Sequence, residues 1–278
     1  MSKIQKLFSF NQGRNIWRII LTDLDQIVIE ERDVDKKEVY FSCIDRVTGE
    51  FFWKNKTFLD EKFWIGIEGT ASNYLILHQF EKPDMPNHKK IIAIDLNSGE
   101  ILWINDDLTF YDLDENYVYG FIPRFENNEF FKLAIENGEI VGNLGNDEEA
   151  RPFLNSIREK DYSRYSFTQN LNSSLNNDSI SKLVNQFVSN SFYTNFCEYI
   201  DRSNYLIFNV YDKINPKSLI NRLIVIDKIE GKPVLIETLN QATPAPIPDS
   251  FFMYDNDLYF IKDKIELIAY RLNSEEAL

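Results

Sequence analysis

Histidine, cysteine and methionine are scarce in this chain of 278 residues: two, two and three. Two cysteines cannot form a disulfide framework. Cys43 and Cys197 each lie in an apolar run that reads as strand, so two buried free thiols are expected, and with them a cytoplasmic location. No apolar stretch approaches the roughly 20 residues that a bilayer-spanning helix needs. The first ten residues lack a long apolar run followed by a small-residue cleavage site, so neither export nor a membrane partner is expected. Positive charge is also short: 30 Lys and Arg stand against 44 Asp and Glu, a net charge of −14. A surface that gathers phosphate backbones is thereby disfavoured, and no nucleic-acid partner is expected.

Aromatic residues are abundant, with 22 Phe, 14 Tyr and 4 Trp, enough apolar surface to exclude a disordered chain. They are organised by a repeat. Ser42–Trp53 contains Ile44-Asp45-Arg46-Val47-Thr48-Gly49-Glu50-Phe51-Phe52-Trp53; Ile92–Trp103 contains Ile94-Asp95-Leu96-Asn97-Ser98-Gly99-Glu100-Ile101-Leu102-Trp103. Val225–Leu235 repeats the pattern around Asp227 and Gly231, Lys132–Val141 is a degenerate copy around Gly138, and Ile268–Glu276 is a truncated one with Glu275 at the glycine position. An apolar run, an Asp, a short polar stretch, Gly and a second apolar run describe a hairpin. The Gly takes the positive φ of the turn and the Asp accepts from its amides. From Gly49 to Gly99 is 50 residues, from Gly99 to Gly138 is 39, from Gly138 to Gly231 is 93 and from Gly231 to Glu275 is 44. A period near 40–45 with several strands describes a β-propeller blade.

Two further strand-like runs precede each hairpin: Ile16–Leu21 and Gln26–Glu30, Phe63–Ile67 and Tyr74–His78, Leu108–Leu113 and Tyr117–Phe121, Phe196–Ile200 and Tyr205–Val210, Phe251–Tyr254 and Leu258–Ile261. Five units of four strands result, the last lacking its outer strand. The spare run Ile4–Phe10 is placed there, which removes an exposed edge. The expectation is one all-β domain over 1–278, a five-bladed propeller closed by its N-terminal strand; six blades is the alternative.

Residues 143–195 break the rhythm and read as a helical insertion between blades three and four. Asp147-Glu148-Glu149 suits a helix N-terminus. Asp178 is placed to cap a second helix over 179–189, whose Ile180, Leu183, Val184, Phe187 and Val188 form one apolar stripe. A helix this short must dock. The expectation is a lid: Leu183 and Phe187 buried against the face that carries the long connections Glu31–Glu38, Glu81–Lys90, Arg124–Glu129 and Asp212–Asn221, with outer-rim packing as the competitor.

The Asp-x-x-Thr/Ser-Gly-Glu-x-x-Trp signature at Asp45–Trp53 and Asp95–Trp103 resembles the repeat of pyrroloquinoline-quinone-type propellers. The whole chain also resembles an uncharacterised bacterial family known only as a domain of unknown function, through Trp17-Arg18, Glu31-Arg32-Asp33, Leu77-His78 and Pro86-Asn87-His88-Lys89. The first resemblance implies a fold and the second implies no activity. Quinoprotein dehydrogenases of that repeat type have eight blades and are exported. This chain is shorter and has no Cys-Cys pair, so no cofactor is expected.

On the elaborated face Arg32, Asp33, His88, Lys89 and Arg124 are the candidate ligand-binding residues, against local ion pairing as the alternative for Glu30–Asp33. His78 and His88 find no third ligand at metal-ligand spacing, so no metal is expected. Asp112-x-Asp114-x-Asn116 begins like a calcium loop, but Tyr117 replaces the required Gly. Trp17 and Trp64, on inner strands, read as blade-packing residues rather than sugar platforms. No catalytic residues are assigned. The expected function is a binding or scaffolding module for a protein or a small polar ligand. The alternative is a glycosidase-like hydrolase with paired carboxylates in the central channel.

Overall fold

Runs such as Ile27-Val28-Ile29, Leu75-Ile76-Leu77 and Leu206-Ile207-Phe208 are fully buried, as strands covered on both faces must be. A computed structural model describes residues 4–81, 87–157, 161–171, 179–187 and 196–273. They group into two compact units, one of Arg14–Asp161 and one of Met1–Gly13 with Tyr162–Leu278. The architecture is mostly β.

The chain begins with β1 (Ile4–Asn11), which belongs to the second unit. The first unit then runs through three antiparallel meanders. Sheet 1 is β2 (Asn15–Leu21), β3 (Gln26–Asp33), β4 (Glu38–Asp45) and β5 (Phe51–Lys56). Sheet 2 is β6 (Ile65–Ala71), β7 (Tyr74–Phe80), β8 (His88–Asp95) and β9 (Ile101–Asn105). Sheet 3 is β10 (Thr109–Leu113), β11 (Tyr117–Pro123), β12 (Asn128–Ala134) and β13 (Ile140–Asn146), followed by helix α1 (Asp147–Ile157). A single parallel bridge, Thr109 to Lys90, joins sheets 2 and 3.

The second unit adds β14 (Tyr165–Ser166), β15 (Gln169–Asn170) and helix α2 (Ser179–Asn185). Sheet 4 follows as β16 (Glu198–Asp201), β17 (Tyr205–Asn215), β18 (Ser218–Asp227) and β19 (Lys232–Thr243), with β15 on the edge of β16. Sheet 5 is β20 (Phe251–Tyr254), β21 (Asp257–Lys262) and β22 (Glu266–Leu272), with β14 on the edge of β20. The fourth strand of that meander is β1, antiparallel to β22 from Ile4↔Leu272 to Asn11↔Glu266, as the spare N-terminal run predicts.

Alternation along each strand divides the core. Val28, Phe41, Cys43 and Trp53 of sheet 1 pack on Ile65, Ile67, Leu75 and Leu77 of sheet 2. Ile76, Ile91 and Ala93 point to the other face of sheet 2 and meet Leu113, Val118 and Leu133 of sheet 3. Sheets 4 and 5 share a third cluster through Ile207, Leu223 and Val225 against Phe251, Leu258 and Phe260.

The repeat is a backbone device. Gly49, Gly99, Gly138 and Gly231 all have positive φ, between 64° and 72°, and each donates its N–H to the carbonyl four residues back, at 2.7–3.0 Å. Asp45 Oδ1 accepts from the amides of Val47 and Thr48, and Asp227 Oδ1 from those of Ile229 and Glu230. The degenerate copy keeps the backbone with Ala134 in the Asp position. The repeat tryptophan acts across sheets. Trp53 Nε1 donates to the Leu96 carbonyl (2.8 Å), and Trp103 Nε1 to the Ile135 carbonyl (2.7 Å). Each indole thus pins the turn of the following sheet. The copies around Gly138 and Gly231 carry Gly142 and Leu235 where the first two have Trp.

Four expectations need correction. Asp212–Asn221 is not a loop: β17 and β18 run paired through it to a tight turn between Asn215 and Ser218. The strand expected from Phe63 starts at Ile65, because Glu61 Oε1 accepts from the amides of Phe63 and Trp64 and holds a turn there. Trp17 is no packing residue, as its 67% exposure shows. Finally, α2 is not a lid. Its Ile180, Leu183, Val184 and Phe187 pack on Leu206, Phe208, Val210, Ile224 and Ile226, the face of sheet 4 turned away from sheet 5. Only Val184 is fully buried; Leu183 and Phe187 are partly so. That β face is apolar and is not covered by sheet 5, so it can receive the stripe. Likewise α1 covers the face of sheet 3 turned away from sheet 2, through Ala150 and Leu154 on Tyr119 and Phe130. Asn146 caps α1 by accepting from the Glu148 and Glu149 amides, while Glu149 Oε2 accepts from the Asn146 amide. The expected cap Asp178, Val188 and the Asn-rich stretch 172–177 lie outside the described residues.

Candidate functional site

The first strand of each meander in the Arg14–Asp161 unit carries a β-bulge: between Ile16 and Arg18 in β2, Ile67 and Gly69 in β6, and Phe110 and Asp112 in β10. A bulge puts one residue out of the ladder and re-aims its side chain. The three residues are Trp17, Glu68 and Tyr111.

Trp17 is 67% exposed. The Arg32 guanidinium lies over its ring at 4.9 Å and over the Phe63 ring at 5.3 Å. Arg32 itself is buried and its donors are engaged: Nε and Nη2 to Glu30 Oε1 at 2.9 and 2.7 Å, and others to the carbonyls of Phe63 and Ile65 at 3.3 and 3.2 Å. Glu30 Oε2 accepts from the Ile67 amide at 3.1 Å. Arg32 therefore holds an exposed indole in place while cross-linking β3 to β6.

Further along β6, Glu68 meets both histidines. Its Oε1 lies 2.6 Å from His88 Nδ1 and 3.0 Å from His78 Nδ1. The two imidazoles stack, with centroids 3.5 Å apart and planes 4° from parallel, and the Phe80 ring meets both edge-on. His78 is buried, its Nδ1 lies off hydrogen-bond alignment with Glu68, and its Nε2 has no hydrogen-bond partner. Gly66, opposite His78 in the ladder, makes room for the ring: a Cβ there would stand 3.0 Å from its Cε1. Burial by itself pushes the Glu68 carboxyl up, but the two imidazoles at Oε1 more than offset that and hold it below the ordinary glutamate value. Glu68, His78 and His88 form the cluster with metal-ligating donors among the described residues.

The candidate residues are thus only partly brought together. Arg32 and His88 share a neighbourhood through β6. Asp33 turns away into the β3–β4 hairpin, where it accepts from the Lys36 amide at 3.0 Å and pairs with the Lys36 amine at 3.1 Å. Lys89 is half-buried on β8. Arg124 pairs with Glu129 at 2.8 Å in the exposed β11–β12 hairpin. Sequence reading missed Glu68, because only a bulge on a neighbouring strand delivers it; an acidic residue between two glycines in a strand run, Gly66-x-Glu68-Gly69, was the available signal.

The calcium-like stretch is an ordinary turn, with Asp114 Oδ1 accepting from the Asn116 and Tyr117 amides. Cys43 and Cys197 are buried free thiols, pushed up to about 12 by burial, which removes them as nucleophiles.

The family described as a domain of unknown function (DUF4905) matches residues 20–103, which hold sheet 1 from its second strand and sheet 2. No curated protein matches. Among solved structures, the chain is similar to a member of the DUF4221 family from Bacteroides vulgatus (8% identity, 98% of each chain covered, TM-score 0.35). It is also similar to the Dos1 propeller (10% identity, 94% of this chain and 68% of that one, TM-score 0.32). A third is the N-terminal domain of Nup159 (9% identity, 92% and 76%, TM-score 0.32). No helix among the described residues is long and apolar enough to cross a membrane.

Proposed function

We propose that the five meanders are the blades of a propeller with quinoprotein-like repeats, closed within the last blade by β1. We further propose that it works in the cytoplasm as a binding module for a small polar ligand rather than as an enzyme. The observation that carries this reading is the bulge at Trp17, which presents an indole to solvent on a buried arginine held by Glu30 and two carbonyls. An exposed aromatic fixed in this way offers a flat apolar face, which suits the C–H face of a sugar ring or a planar polar molecule. His88 and Lys89, at the start of β8, are proposed to contribute polar contacts at its side. Carboxylates on the first strands support binding over hydrolysis, since each already accepts protein donors. Glu68 holds the two histidines, Asp112 accepts from the Leu113 amide, Glu198 from the Asp249 amide, and Asp201 pairs with Lys228.

The test is a panel of mono- and oligosaccharides and small carboxylates, scored by tryptophan fluorescence and melting temperature. At least one class is expected to perturb the emission and raise the melting temperature, and Trp17→Ala is expected to remove both effects without changing the far-UV spectrum. Ligands that act equally on wild type and Trp17→Ala would overturn the assignment.

A further inference from the structure

The chain has two histidines in 278 residues, and the fold stacks both against one carboxylate. We propose that Glu68, His78 and His88 form a binding site for a divalent transition-metal ion of the zinc class, with one coordination position left open.

The donor set fits. Two imidazole nitrogens and one carboxylate oxygen match three-ligand zinc sites that keep a free position, whereas calcium and magnesium prefer all-oxygen shells. The donor atoms all lie within 4.8 Å of one another. With bonds of about 2.0–2.1 Å, ligands on a tetrahedral ion stand roughly 3.3 Å apart. The Glu68–His78 and Glu68–His88 separations of 3.0 and 2.6 Å fall about 0.3 and 0.7 Å short of that, so the ion replaces the direct contacts by spreading the donors, His88 most. His78 supplies the independent sign of a ligand. It is a buried imidazole, 4% exposed, whose ring nitrogens make no aligned hydrogen bond, a costly arrangement unless something else uses its acceptor nitrogen.

One movement is required. Rings parallel at 3.5 Å cannot both point an in-plane lone pair at one ion. His78 is confined by Phe80 and the close approach at Gly66, so the half-buried His88 must swing off the stack. This also gives the ion its route from solvent. The site goes beyond the ligand platform at Trp17; it shares His88 with that platform, but metal binding is read independently of Trp17, so the two readings fail separately.

The experiment uses the tag-free full chain, stripped with chelator. Zn²⁺ is followed by calorimetry, and Co²⁺ by its visible absorption, which is intense in tetrahedral sites. One ion per chain is expected, with affinity lowered at least tenfold in both His88→Gln and Glu68→Gln and unchanged in Arg124→Ala. Because only two histidines exist, the unaltered protein provides a second readout free of folding artefacts. Long-range ¹H–¹⁵N correlations of both imidazoles should shift on adding Zn²⁺, and the mutual ring-current shifts of their C–H protons should collapse as His88 leaves the stack. Absence of saturable binding, binding by both variants as tight as by the unaltered protein, or imidazole signals that ignore Zn²⁺ would each overturn the site and leave a hydrogen-bonded Glu–His–His cluster.

Discussion

Glycine has two separate duties in the repeat, and the copies separate them. Gly99 and Gly231 have nearly identical φ, 64° and 65°. A Cβ on Gly99 would lie 2.8 Å from the Trp53 indole, whereas one on Gly231 would meet nothing within 4 Å. Gly231→Ala should therefore cost only the left-handed penalty, about 1–2 kcal/mol. Gly99→Ala should cost clearly more, because the indole must leave its seat on the Leu96 carbonyl. Paired chemical denaturation of the two variants measures the difference, and equal losses would show that the Trp53–Gly99 contact carries no energy.

Strand β1 is the element whose place is most exposed to test. Phe8 and Phe10 are buried at 7% and 4%, and the strand pairs along its length with β22. Removing residues 1–11 uncovers the edge of β22 and part of its face. The truncated chain should melt several degrees lower or scatter light on heating. Phe10→Ala alone should lose about 3–5 kcal/mol. If both melt like the full chain, β1 contributes no stability. Helices α1 and α2 follow a related rule: each is amphipathic and each finds an apolar β face. An apolar stripe specifies that a helix docks; the tertiary structure decides on which face.

At the scale of the whole molecule, charge should shape the response to acid. A net charge of −14 at neutral pH repels itself, though at 0.15 M salt the screening length of about 8 Å limits that term. Against it stand carboxylates that the fold keeps ionised. For Asp45 and Asp95, burial pushes the carboxyl up, but turn amides and a Thr or Ser hydroxyl pull it below the usual 3.8. Glu237 is likewise pushed up by burial yet held below the ordinary value by Lys262 and Tyr270. Groups whose folded pKa is depressed contribute fully above their unfolded pKa, near 4, and lose that contribution as pH falls through the folded value. Stability should accordingly be highest around pH 5, where self-repulsion is relieved, and fall below pH 4. The double variant Asp45→Asn, Asp95→Asn should be less stable at pH 7 and show a shallower loss between pH 4 and 2, read from denaturant midpoints across pH. An identical pH profile would show that the turn aspartates do not carry the acid response.

Local chemistry was enough to determine much of this protein. The hairpin turns, the four-strand units, the partner strand supplied by Ile4–Phe10, the acidic start of α1 and the two inert thiols all follow from residues close in sequence or from composition, because turns and strand alternation are short-range properties. The functional geometry is different in kind. Glu68 reaches His78 and His88, and Trp17 faces solvent, only because bulges in β6 and β2 break the period-two rule that assigns each side chain to a face. Arg32 ties β3 to the start of β6 because two carbonyls, those of Phe63 and Ile65, are presented to it. Contacts across strands depend on which strands become neighbours and in what register, and the tertiary structure alone decides that.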